Sequence, residues 1–189
     1  MRRNIFKQIL HKLWFGFQTI RVYKTWWLGF MDYFGLLKRK RIIHALRNNL
    51  SYVIRTNTSD FGIINEVFVV KEYHKLLKFI KNASVVIDIG AQIGVFSIFA
   101  AKLAKRGKVF VYEPLEENFN LLKKNILLNK VNNIRAFKQG IAGKKGKREL
   151  VISDNNTGGH SFYAEGSNKV KIETITLKDV FERNKIKTC

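Results

Sequence analysis

The residues best suited to chemistry lie in one short run, Asp88-Ile-Gly90-Ala91-Gln92-Ile-Gly94, followed 19 residues after Gly94 by Glu113. Glycines let a backbone approach a ligand closely. An acid whose two oxygens can accept two hydroxyl protons at once suits a ribose. Together they describe a site for a nucleoside-containing cofactor at the point where strand order reverses. A dinucleotide fold would need G-x-G-x-x-G, but counting from Gly90 the second and third glycine positions hold Gln92 and Val95, so that pattern fails. Asp88, two residues before the first glycine, would also repel a pyrophosphate. It favours a cofactor bearing an amino group or a sulfonium there. The plainer alternative is that Asp88 and Glu113 are strand-end caps in an unrelated α/β protein.

Other chemistries fail on spacing. The nearest approach to a phosphate loop, Gly140-x5-Gly146-Lys147-Arg148, has one residue too many and no Ser or Thr after the Lys, and reads as a basic turn. The single cysteine, Cys189, and four scattered histidines offer neither a disulfide framework nor a metal set, so no metal is expected and a reducing compartment is the default. His160, after Thr157-Gly158-Gly159, is a weak candidate for a base that deprotonates a hydroxyl, and a solvated loop histidine is its simpler reading. His11, His44 and His74 fall on expected helices as surface or core-edge residues.

The elements that must position Asp88 and Glu113 follow from the pattern. Val85-Val-Ile-Asp-Ile-Gly90 is a β-branched run ending in an acid and a glycine, as a buried parallel strand does. Gly94 opens an amphipathic helix over 95–105, and Lys108-Val-Phe-Val-Tyr-Glu113 is the next strand. Pro114 with Glu116-Glu117 starts a helix to about 129, since proline and acids favour a helix N-terminus. Residues 133–137 make a third strand. The order β-α-β-α-β implies an α/β fold with a parallel sheet covered by helices. Upstream, Ser59-Asp60 caps a helix over 61–69 and 71–82 is helical. Downstream come strands at 149–152 and 170–176, separated by a Gly/Asn/Asp/Ser-rich loop over 153–160.

The chain has 189 residues, 46% of them hydrophobic and 13% aromatic, which excludes disorder despite a net charge of +21. Residues 1–60 hold 12 Lys+Arg against 2 acids and residues 61–189 hold 23 against 12, so the first third is about twice as basic per residue. This surplus either draws the protein to polyanions or reflects Lys-rich composition on a solvated surface. Residues 4–20 have helical periodicity, with Ile5, Phe6, Ile9, Leu10, Leu13, Trp14 and Phe17 on one face. That face packs on the protein's own core or lies in a lipid headgroup layer. Trp26, Trp27, Phe30 and the run Lys38-Arg39-Lys40-Arg41 favour the latter. The apolar stretches 13–20 and 25–31 are too short to span a membrane, and no cleavable signal peptide is evident. The organisation expected is a basic amphipathic helical region, 1–58, followed by a cofactor-binding domain, 59–189.

Several segments resemble the FkbM-type family of class I S-adenosylmethionine-dependent methyltransferases. They are Thr58-Ser-Asp60 with Glu66 and Tyr73, Val85 through Ser97, Val111-Tyr-Glu-Pro114 with Asn118-Phe119, Leu121-Leu122 and Asn125, and Ile175-Thr-Leu-Lys-Asp179. The family usually has Asp-x-Gly-Ala-Asn-x-Gly, and this chain has Gln92 where Asn is usual, which keeps the amide. The resemblance implies a doubly wound, Rossmann-like sheet and S-adenosyl-L-methionine as cofactor. Asp88, Gly90, Ala91, Gln92 and Gly94 would line its methionine end, Glu113 would hold the ribose hydroxyls, and a turn at 139–142, with Gln139 and Ile141, would border the adenine. It further implies O-methylation of a hydroxyl on a glycan, a lipid-linked sugar or a secondary metabolite. Nucleic acid is not expected as a substrate, because the only proline, Pro114, precludes the Asn/Asp-Pro-Pro-aromatic motif of base-amine methylation and Cys189 is terminal. A cytoplasmic protein, peripheral on the inner face of the membrane, fits this reading. The family continues after Asp179 into a strand with Lys-x-Asp-x-Glu-Gly, so the sheet is expected to be incomplete at its C-terminus, with an exposed strand edge and doubtful catalysis. The competing expectation is a non-catalytic basic module that binds a membrane surface or a polyanion.

Overall fold

A computed structural model describes residues 13–38, 40–152 and 168–188 of the chain. His160 and the whole loop expected at 153–160 lie outside the described residues, as do residues 4–12 of the helix expected over 4–20.

The nucleus is β3 (Val85–Ile89), α5 (Val95–Leu103), β4 (Lys108–Tyr112), α6 (Glu116–Leu128) and β5 (Ile134–Phe137). The three strands are parallel in the order β3-β4-β5, with Val85 opposite Lys108 and Val109 opposite Ile134. Central β4 is buried from Val109 to Tyr112, which explains its continuous apolar sequence, since a parallel strand covered on both faces has no polar side. Among the described residues β3 pairs with no strand other than β4 and forms a sheet edge. Beside that edge, Lys78, Phe79, Val85 and Ile87 help line a surface cavity of about 680 Å³.

The N-terminal region is not helical throughout. Residues 13–22 (α1) and Trp26–Tyr33 (α2) are helices, but Arg41–Ala45 (β1) and Ser51–Arg55 (β2) form an antiparallel hairpin. The period there is two: Ile42, His44, Tyr52 and Ile54 are buried while Arg41 and Ile43 are exposed. The turn is set by Asn49 at φ +65° and by Asn48, whose Oδ1 accepts from the Leu50 N–H at 3.1 Å. His44 is thus a fully buried strand residue, packed against the rings of Tyr23 and Phe61. The hairpin shares one hydrophobic cluster with the nucleus, joining Tyr23, Leu46, Tyr52, Ile54 and Ile64 to Ile93, Val95, Ile98 and Leu121.

Two side-chain amides, Asn125 on α6 and Asn129 at its C-terminal cap, dock the outer edge of β2. Asn125 accepts from the Val53 N–H at 2.7 Å and donates to the Val53 carbonyl at 3.2 Å; Asn129 does the same with Ser51 at 2.9 and 2.6 Å. Between hairpin and nucleus lie α3 (Asp60–Asn65), a π-turn at Glu66–Val70, a 3-10 turn at Glu72–Leu76 and α4 (Leu77–Asn82). His74, expected on a helix, lies exposed in the 3-10 turn. Asp60 does not cap α3 with its carboxylate, which turns inward; the Thr58 hydroxyl accepts from its N–H instead, at 3.3 Å.

Downstream strands form a separate sheet: β6 (Gly140–Ile141) runs parallel to β8 (Lys169–Ile175), and β7 (Gly146–Val151) pairs antiparallel on the other side of β8. The short β6 has no sequence periodicity and is not legible from the chain. Helix α7 (Leu177–Asn184) starts from a capping box in which the Thr176 hydroxyl accepts from the Asp179 N–H at 3.1 Å and the Asp179 carboxylate accepts from the Thr176 N–H at 2.8 Å. Val180 and Ile186 then seal a cluster with Phe110, Tyr112 and Ile175.

Candidate cofactor site

The loop from β3 to α5 is built from left-handed backbone: Gly90 at φ +76°, Gln92 at +51° and Gly94 at +84°. A side chain on Gly94 is excluded twice, because an added Cβ would stand 2.3 Å from Leu122 Cδ1 at a φ that L residues rarely adopt. A Cβ on Gly90 would meet nothing within 4 Å, so the space above that glycine is open. The loop is tied to the end of β4 by the Gly90 and Ala91 N–H groups, which donate to the Tyr112 carbonyl at 2.9 and 3.2 Å.

Glu113, 4% exposed, accepts from the Gln92 N–H at 2.8 Å and from the Leu115 N–H at 2.9 Å. Burial raises its pKa, and the backbone bonds of Leu115 and Gln92 work against that rise. Its Oε2 keeps a second acceptor position, while Oε1 is also approached by Asn118 Nδ2 at 3.5 Å. At the other end of the loop Asp88 accepts from the Ser97 hydroxyl at 2.5 Å, and burial pushes its carboxyl up to about 6 with Ser97 partly offsetting it. Tyr73 stacks on Phe96 with ring centroids 4.4 Å apart. Its phenol is raised by burial and then by the negative charges of Glu72, Asp88 and Glu66. These acids make the surroundings of the start of α5 electronegative, suited to a cationic group.

Behind the loop is a polar network with no counterpart in the sequence reading. Asp60, 0% exposed, accepts from the Arg55 N–H at 3.0 Å, Arg55 Nε at 2.9 Å, Arg55 Nη2 at 2.8 Å and Gln92 Nε2 at 3.1 Å. Arg55 Nη2 also donates to Asn118 Oδ1 at 2.8 Å, and Asn118 Nδ2 lies 3.5 Å from Glu113 Oε1. The longer side chain of Gln92 is what reaches Asp60. Arg55 ends the strand Ser51-Tyr-Val-Ile-Arg55 on the face opposite buried Tyr52 and Ile54, so alternation alone points it outward and carries no signal of its burial.

Asp88, Gly90, Ala91, Gln92, Gly94 and Glu113 are therefore brought together. Gln139 is separate, lining a cavity of about 420 Å³ with Tyr112, Phe137, Arg183 and Asn184. Ile141 is a β6 residue packed against the Phe110, Tyr112 and Ile175 cluster. Among the described residues no group of His, Cys, Asp and Glu is placed to hold a metal ion.

A parallel nucleus with an acid-flanked glycine loop at the strand ends and a second acid at the tip of β4 defines a class I methyltransferase fold, with S-adenosylmethionine as its cofactor. Residues 62–186 match the TRM5/TYW2 methyltransferase domain, and the chain belongs to that family. Over 78 residues it is 36% identical to the ribosomal protein L11 methyltransferase of Acetivibrio thermocellus, covering 41% of this chain and 25% of that protein. Two solved structures are also similar. Pyrococcus horikoshii TYW2 in complex with MeSAdo has 24% identity and a TM-score of 0.42, covering 55% of this chain and 42% of that one. The M. jannaschii tRNA m1G37 methyltransferase has 21% identity and a TM-score of 0.39, covering 58% and 37%. The matched segments span between 23% and 35% of the curated relatives' own length.

The family match corrects two expectations. The class I methyltransferase part of the resemblance holds, but the family matched is TRM5/TYW2, and the FkbM-type assignment is not carried by it. The exclusion of nucleic acid is overturned, because the family matched is TRM5/TYW2. The sequence argument went astray by testing only for base-amine and pyrimidine-carbon motifs. The acceptor expected with the FkbM-type resemblance, a glycan, lipid-linked or metabolite hydroxyl, loses its footing with it.

Proposed function

We propose that the chain is the donor-binding part of an S-adenosylmethionine-dependent RNA methyltransferase whose acceptor is a tRNA. The observation that carries this is the TRM5/TYW2 match over the segment that builds the acid-flanked loop. The net charge of +21 supports it, since phosphate contacts dominate affinity for nucleic acid. The open space above Gly90 and the negative charges around the start of α5 fit the cofactor. Asp88 holds its amino group, Glu113 its ribose hydroxyls, and the left-handed Gly90-to-Gly94 backbone lets it approach. When bound, it supplies a methyl group already activated on a sulfonium. The chain's task is then to orient donor and acceptor and to keep Glu113 in place through Gln92 and Asn118.

Calorimetry with S-adenosylhomocysteine and transfer of labelled methyl to bulk tRNA test the proposal together. Binding that falls at least tenfold in Glu113→Gln, with label in the tRNA fraction, is expected. A folded protein that binds no S-adenosylhomocysteine sinks the donor assignment, and label that appears only in a glycan or lipid fraction sinks the acceptor.

A further inference from the structure

We propose that the surface built by residues 13–36 docks on an anionic phospholipid bilayer. Helix α1 is apolar on two sides. Phe15 and Val22, seven residues apart, pack against the hairpin core. Leu13, Phe17 and Ile20, spaced as one helical stripe, are 65%, 56% and 43% exposed. A helix that only covered a core would need the first stripe alone. After it, Trp26, Trp27 and Phe30 on α2 are exposed while Leu28 packs inward. Nine of the eighteen exposed large apolar side chains of the described residues fall within 13–36.

The charges around this surface are cations, apart from Glu117, which pairs with Arg41 at 3.7 Å. Arg21, Lys24, Lys38, Lys40 and Arg41 are exposed. The sole acid in 13–59 is Asp32, and it is buried, accepting from the Asn57 N–H at 2.9 Å. Anionic headgroups above hydrocarbon match both features, because the cations pair with phosphates while the apolar side chains sink past them. RNA matches only the first. Leu13 and Ile20 offer no face for a base, and Trp26 and Trp27 pack edge-on against each other, 6.2 Å apart, rather than standing apart as a stacking platform. The inference is independent of the acceptor proposed above.

The chain supplies its own probe. Its three tryptophans, Trp14, Trp26 and Trp27, all lie on this surface, so selectively excited tryptophan fluorescence reads nothing else. The full chain is mixed with vesicles of phosphatidylglycerol and phosphatidylcholine carrying brominated acyl chains, at low and high salt, with pure phosphatidylcholine vesicles and bulk tRNA in parallel. A blue shift with quenching by the brominated anionic vesicles is expected, weakened severalfold at high salt and absent with pure phosphatidylcholine. The exposed-site variants Phe17→Asp and Ile20→Asp should each bind at least tenfold more weakly, with unchanged far-ultraviolet circular dichroism and unchanged S-adenosylhomocysteine binding. If such a variant loses its fold, Lys24→Glu with Lys38→Glu supplies the same test through the charges. No quenching by brominated anionic vesicles overturns the proposal. A spectral change with tRNA but not with vesicles assigns the surface to nucleic acid, and one that depends on protein concentration alone assigns it to a second copy of the chain; both refute the bilayer.

Discussion

Replacing Asp60 by Asn puts the network behind the cofactor loop under direct test. The carboxylate is fully buried and takes three bonds from Arg55 and one from Gln92. Breaking a buried ion pair by neutralising one partner costs about 3–5 kcal/mol, because the remaining charge is left without compensation. Here Arg55 keeps Glu117 at 3.3 Å, but that carboxylate is 60% exposed and screened by water, so the relief is small. A net loss of about 2–4 kcal/mol in unfolding free energy is expected, read by urea denaturation. Gln92 also loses its anchor while holding a left-handed φ of +51°. Its N–H then presents less reliably to Glu113, and S-adenosylhomocysteine should bind several-fold more weakly by calorimetry. The double replacement Arg55→Met with Asp60→Leu should recover much of the stability but not the affinity, since it restores packing without restoring a group for Gln92. An Asp60→Asn protein within about 0.5 kcal/mol of the parent and unchanged in affinity would refute the clamp.

The remaining predictions concern pH and packing. Burial lowers His44 from 6.5 to about 4, so the unfolded chain takes up the proton first and stability is lost as pH falls from about 6.5 to 4. Asp88, raised from 3.8 to about 6, acts in the opposite sense, since the folded protein takes up its proton first and stability is gained as pH falls through 6 toward 4. Each is worth about 3 kcal/mol at roughly 1.4 kcal/mol per pH unit, so the two nearly cancel in the parent. Asp88→Asn should expose the His44 loss as a steep fall below pH 6 in urea midpoints; a flat profile would discredit the reading. S-adenosylhomocysteine binding should weaken below pH 6 with release of a proton, seen by calorimetry in buffers of different ionisation enthalpy. Gly94→Ala should cost about 2–4 kcal/mol from the Leu122 overlap and the left-handed φ together, and a Tm within a degree of the parent would contradict it. Asn125→Ala should cost about 1–2 kcal/mol by leaving the half-buried Val53 N–H without its acceptor, and should leave Asn133→Ala, made at a different contact, additive with it.

What could be read from the chain was whatever depends on local pattern. The strands β3 and β4 are continuous β-branched or aromatic runs, α5 and α6 have helical period, and the acids at 88 and 113 sit at strand ends that the pattern already marks. The hairpin was missed because its inward face includes His44, a polar residue whose burial depends on Tyr23 and Phe61 arriving from elsewhere. Asp60 was legible only as a helix cap and Arg55 not at all, since the Arg55 partner Asn118 is 63 residues away. The acceptor was misjudged for a different physical reason. The acid-and-glycine motif recognises only the donor, so families with different acceptors share it. The +21 charge, which pointed toward a polyanion, was held in balance with a compositional explanation.

The docking of β2 onto α6 has a consequence for the order in which the protein assembles. Residues two apart on a strand are about 6.8 Å apart and residues four apart on a helix about 6 Å, so Ser51 and Val53 fall in register with Asn129 and Asn125. The helix thus stands in for a strand, but it is made 72 to 78 residues later. At a synthesis rate of roughly 5–20 residues per second, the β2 edge waits about 4–16 s on the ribosome with its N–H and carbonyl groups open. The hairpin is translated before the other two sheets described, and its β2 edge is closed only once α6 has been made. During that interval it is a template for any other extended chain nearby, so Asn125 and Asn129 act as a latch on solubility in the nascent protein as much as a contact in the finished one.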